Sequence, residues 1–156
     1  MIQFEFSVDE NEAPPPSGFD LGHIHVRGDR GEASSQGHTP DQAMMIYLSL
    51  TLLMNGLRRF LTGRDRSFTM SAVDSSFSLT FRRGKDGSIE TVYDGTVIDR
   101  SSAADLASAV RAGAERFAKP RLPLLPRDDA GREDLEKSLP EFGNFATRLP
   151  RRNVGE

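Results

Sequence analysis

From Thr39 to Gly63 the chain reads as one long helix whose first turns have no polar side. Such a helix must be covered from more than one direction. Thr39 suits an N-cap, Pro40 the first helical position, and Gln42 stands three residues on to close a capping box. Ala43 to Leu48 is apolar all round. A polar stripe then opens through Thr51, Asn55, Arg58, Arg59 and Thr62, opposite Ile46, Leu50, Leu53, Met54, Leu57 and Leu61. Gly63 supplies the left-handed residue that commonly ends a helix. The cover must come from elsewhere in the chain or from a second copy of it.

Candidate cover lies on both sides. Ile2, Phe4, Phe6 and Val8 alternate with polar residues, the period of a half-buried strand. Asp9 to Gly18 is acidic and then proline-rich, a surface loop, and Phe19 to Arg27 reads as a second strand. Gly28 to His38 is a Gly- and Ser-rich connection. After the long helix, strands are expected at Phe68–Val73, Phe77–Arg82, Ile89–Tyr93 and around Val97 and Ile98, with Asp86-Gly87 and Asp94-Gly95 as turns. Ser101 or Ser102 caps a second helix, Ala103 to Ala118, which Lys119-Pro120 stops. Arg121 to Pro126 is expected to be an extended strap. Residues 128–139 suit a short acidic helix, with Phe142 and Phe145 pinning the chain to the body.

The order β-β-α-β-β-β-α predicts an α+β domain, an antiparallel sheet of about five strands with two main helices packed on one face. Residues 1–146 form that single domain, and 147–156 a flexible C-terminal tail. The longest apolar run, residues 43–54, is shorter than the roughly 20 residues that span a bilayer, so no membrane partner is expected. The first residues lack the basic and apolar regions of a secretory signal, which makes a cytoplasmic protein the expectation. With no Cys, thiolate metal sites and cysteine nucleophiles are excluded. No phosphate loop, nucleophile elbow or zinc helix motif is present, so no cofactor and no particular reaction is indicated.

Charge is unevenly spread. Residues 1–50 hold eight Asp and Glu against Arg27 and Arg30. That acidic front argues against broad nucleic-acid binding and suits a cationic partner. Glu10, Glu12, Asp20, Asp29 and Glu32, in and beside the early loops, are the candidate partner contacts, since loops on a rigid sheet commonly carry binding residues. His23 and His25 lie two apart on a strand and share a face, so they suit a divalent metal with His38, Asp20 or Asp41 as a third ligand. The plainer alternative leaves both on the solvent side, with Ile24 and Val26 facing the core. Arg58, Arg59, Arg64 and Arg66 compensate the end of the long helix or, with Arg82, Arg83 and Lys85, form an anion patch.

Three readings follow. The first is a small cytoplasmic protein-binding module, of the immunity or antitoxin kind, that neutralises a basic protein. The second is a metal-dependent or histidine-based enzyme or small-ligand binder using His23 and His25. The third is a homodimer without catalytic activity, joined through the start of the first helix.

Overall fold

The structure, a computed structural model, describes residues 1–150. It is α+β, as the pattern predicts, but with two four-stranded antiparallel sheets and three long helices. The first sheet holds β1 (Gln3–Val8), β2 (Leu21–Arg27), β3 (Glu32–Ser34) and β4 (Met44–Met45). β1 and β3 flank β2, and β4 pairs with the start of β2. The helix α1 (Ile46–Thr62) follows directly. The second sheet is a meander of β5 (Ser67–Ser71), β6 (Ser78–Arg83), β7 (Ile89–Tyr93) and β8 (Thr96–Ser101). Two helices close the chain, α2 (Ala103–Arg121) and α3 (Ala130–Arg148).

Apolar alternation accounts for the sheets. Phe4 and Phe6 pair with Val26 and Ile24, and all four are buried. Asp94 and Gly95, at φ 49° and 77°, make the tight β7–β8 turn that Asp-Gly favours. Ser102 caps α2, its side chain accepting from Asp105 N–H at 3.1 Å.

The start of α1 departs from expectation. Met44 and Met45 are extended, and the helix begins at Ile46 rather than at Pro40. Met44 pairs with Gly22, Met45 N–H bonds Val73 O at 3.0 Å, and Ile46 N–H bonds Asp20 O at 3.3 Å. The segment is apolar all round because it is enclosed by β2, by the β5–β6 connection and, at Tyr47, by the Phe117 ring of α2. Met44, Ile46 and Tyr47 are at most 1% exposed within this one chain. The surface proposed for a second copy is therefore already covered.

Gly63 has φ −95° and is not left-handed. The end of α1 is closed by Arg83 instead, whose guanidinium donates to the carbonyls of Phe60, Gly63 and Asp65 and stacks on the Phe60 ring. Two prolines also break expectation. Pro120 sits exposed in the last turn of α2, which runs on to Arg121, and Leu122–Leu124 is a 3₁₀ turn rather than an extended strap. The acidic helix predicted for 128–139 continues through the exposed Pro140 to Arg148, because Leu135, Phe142 and Phe145 carry a helical stripe across α1 and α2. Of the predicted tail 147–156, Thr147 and Arg148 are helical, Leu149 packs against the core, and 151–156 lies outside the described residues.

α2 lies across β1 at Gly113, where an added Cβ would stand 2.5 Å from Phe4 O. Ala favours a helix interior over Gly by about 1 kcal/mol. Overpacking against a backbone atom costs about 1–3 kcal/mol and outweighs that gain. Gly113→Ala is therefore expected to destabilise the protein in urea unfolding, by about 1 kcal/mol net. A raised midpoint would contradict the close approach of α2 to β1.

Candidate functional site

The acidic, proline-rich segment between β1 and β2 is an ordered loop. Asp9 N–H bonds Leu21 O at 2.9 Å, which closes its base. The Asp9 carboxylate accepts from Asn11 N–H at 2.8 Å and Asp20 accepts from Ser17 N–H at 3.1 Å, each a local turn that these residue types favour. Gly18 N–H donates to Asp129 Oδ2 at 2.9 Å, while Asp129 Oδ1 caps α3 through Arg132 N–H. Only glycine fits at 18, where a Cβ would fall 2.0 Å from the Asp129 carboxylate and 2.9 Å from the Gly131 backbone.

Beneath this loop lies a cavity of about 240 Å³. Val8, Ala13, Pro14, Pro16 and Leu124 form its apolar walls, and Glu12, Asp20, Tyr47 and Arg121 supply its polar groups. Tyr47 is 1% exposed and Asp20 is 8% exposed. Burial pushes the Tyr47 phenol up, opposed by the Arg121 charge and reinforced by Asp20 and Asp129. The phenol is therefore neutral near pH 7, able both to donate and to accept. Arg121 is committed elsewhere, bonding Phe117 O at 3.0 Å and stacking on the Phe117 ring at 4.7 Å. Apolar walls with a few converging polar groups are the usual form of a ligand site.

The structure thus brings together two of the five predicted acidic contacts, Glu12 and Asp20, with Glu10 exposed on the same loop. Asp29 lies on the β2–β3 turn against the Met1 amine at 2.8 Å, and Glu32 pairs with Arg27 at 3.1 Å. Sequence reasoning missed Arg121, whereas Tyr47, beside Met44 and Met45, reads from sequence as core first and as the lining of an adaptable pocket second. Tyr47 carried a signal, the one hydroxyl in an otherwise apolar turn.

The histidines are not side by side on an open face. His23 is buried, its Nε2 on Asp9 Oδ2 at 2.8 Å and its Nδ1 on Ser35 Oγ at 3.0 Å. The plainer expectation, both imidazoles in solvent, fails at His23 because the Asp9 turn and Ser35 cover it. His25 is partly exposed beside Glu32 at 3.8 Å, and His38 bonds Ser34 O at 2.7 Å. Among the described residues, no group of three His, Cys, Asp or Glu is placed to hold a metal ion. Of the basic cluster, Arg58 pairs with Glu141 at 3.5 Å and shares a wide groove with Arg59 and Arg148. Arg64 and Arg66 are exposed on the α1–β5 connection. Arg82 bonds Glu90 at 2.9 Å, and Arg83 is spent on the end of α1.

The Asp9–His23 pair yields a stability prediction. Hydrogen bonds from Asn11 N–H and His23 hold the Asp9 carboxyl below its usual value. A depressed carboxylate stabilises the fold above its unfolded pKa of about 4, and that contribution is lost as pH falls through the lower folded value. Asp9→Ala is expected to lose about 1–3 kcal/mol at pH 7, because His23 Nε2 is left buried and unpartnered. Its stability should also fall less between pH 5 and pH 2 than that of the parent, read by urea unfolding at each pH. Parallel curves would show that Asp9 does not contribute.

No protein-family model matches this chain, and neither the curated proteins nor the solved structures provide a significant match.

Proposed function

We propose that this chain is a protein-binding module that captures a basic polypeptide on the Asp9–Asp20 loop, in the manner of an immunity or antitoxin protein. One observation carries the reading. Glu10, Glu12 and the 57%-exposed Phe19 stand on a loop that hydrogen bonds tie down at its base and at Asp129. An ordered loop loses little entropy on binding. Exposed aromatics anchor interfaces, and surrounding carboxylates speed capture of cationic partners and select against acidic ones. Leu124, 64% exposed at the cavity wall, extends the apolar part of the face. The preponderance of acid over base in residues 1–50 supports the same sign of partner.

The test compares the immobilised protein with a Glu10→Lys, Glu12→Lys, Phe19→Ser variant against extract of the native host. A basic protein should be retained by the parent in about 50 mM salt and released near 300 mM, as screening shortens the reach of the loop charges. The variant should not retain it, and the purified pair should form a complex directly. Recovery of the same proteins by both baits would overturn the reading.

A further inference from the structure

The cavity beneath the loop has a chemistry more specific than the charge of the face above it. Its walls are apolar at Val8, Pro14, Pro16 and Leu124, and Asp20 and Tyr47 line it together with Glu12 and Arg121. Asp20 and Tyr47 are each more than nine-tenths buried. Asp20 uses one carboxylate oxygen on Ser17 N–H, and among the described residues it forms no ion pair. The Tyr47 hydroxyl lines the cavity with no hydrogen-bond partner among the described residues. Neither the Tyr47 hydroxyl nor the second Asp20 oxygen is among the sealed, unpartnered side-chain atoms, so both open on the cavity, where a hydroxyl and a half-used carboxylate can each accept from a donor.

We propose that this cavity receives a lysine side chain of the polypeptide partner, its methylenes along the proline wall and its ammonium on Asp20 and Tyr47. The inference rests on the reading of this face as a site for a basic protein and names the group inserted there. Three features favour an ammonium. Glu12, Asp20 and the nearby Asp129 carboxylate outnumber the single guanidinium of Arg121, which is engaged on Phe117. Asp20 has only one free oxygen, which suits a compact point charge with three donors better than the planar fork of arginine. A phenol, neutral near pH 7, accepts one ammonium hydrogen without adding a charge of its own.

The probes are Nα-acetyl-lysine methylamide, n-butylammonium, n-butylguanidinium and n-butanol, titrated into the ¹⁵N-labelled full chain. Amide shifts are followed at Gly18, Asp20, Tyr47 and Leu124. Saturable shifts are expected with the lysine derivative, at least tenfold weaker with the guanidinium and absent with butanol. Tyr47→Phe removes only the hydroxyl and should weaken binding about tenfold with an unchanged spectrum elsewhere. Asp20→Asn should weaken it further. Equal binding of butanol, no saturable shift, or indifference to both substitutions would overturn the proposal. Butylammonium binding tighter than the lysine derivative would assign a free amine and overturn the lysine part. Failure of the two readings is separable. If extract yields no basic partner while the lysine derivative binds, only the protein-binding reading falls. If a captured partner binds the Tyr47→Phe variant unchanged, only the cavity assignment falls.

Discussion

Three consecutive residues, Met44 to Ile46, join everything that the chain builds. Met44 pairs with Gly22 in the first sheet, Met45 donates to Val73 in the turn after β5, and Ile46 donates to Asp20 at the foot of the acidic loop. Val73 is held on its other side as well, its N–H donating to Ser49 Oγ at 3.0 Å. Buried backbone groups must find partners, and here they find them in one sheet and two loops at once. The apolar side chains of the same residues fill the space between. Hydrogen bonding and burial therefore act on one segment, which ties the first sheet to the β5–β6 connection and to the acidic loop.

That joint also fixes the geometry of the cavity. Asp20 contributes its carbonyl to the start of α1 and its carboxylate to the loop turn. Tyr47, one residue into the same helix, is placed beside it. Arg121 and Leu124 arrive from the end of α2, and Asp129 ties the loop to the head of α3. Four elements from distant parts of the sequence thus meet around one small volume, each anchored by bonds that do not involve a ligand. A cavity assembled this way is organised without a ligand, so the proposed capture would cost little ordering.

The strands were legible wherever apolar residues alternate, from Ile2 to Val8 and from Phe77 to Phe81, and wherever Asp-Gly demanded a turn. The two-residue strand at Met44–Met45 was not, because a continuous apolar run carries no period to separate strand from helix. Thr39-Pro40 and Gln42 offered helix-start chemistry that tertiary pairing to Gly22 and Val73 overrode. Pro120 and Pro140 misled for another reason, as each stands exposed on a helix whose other faces are packed. At the site, Glu12 and Asp20 were legible as acidic loop residues. Arg121 was not, and nothing paired Tyr47 with it, since proximity across 74 positions of chain leaves no mark in a single sequence.

Charge pairing among the described residues leaves the loop with carboxylates that no cation offsets, as it leaves Glu5 and Asp41 elsewhere in the front half. Glu90 is gripped by Arg100 and Arg82, which hold its carboxyl below the usual value, while Glu32, Glu115, Glu136 and Glu141 each face an arginine within 4 Å. Exposed pairs of this kind add little stability, but they cancel locally. Among the described residues, Glu10, Glu12 and Asp20 have no such counter-ion. An uncompensated carboxylate on an exposed loop does nothing for packing, so Glu10 and Glu12 are not explained by the fold. Their field reaches into solvent, where it acts on whatever approaches. What the fold does supply is rigidity through Asp9 and Asp129, which spend their own carboxylates holding the loop in place.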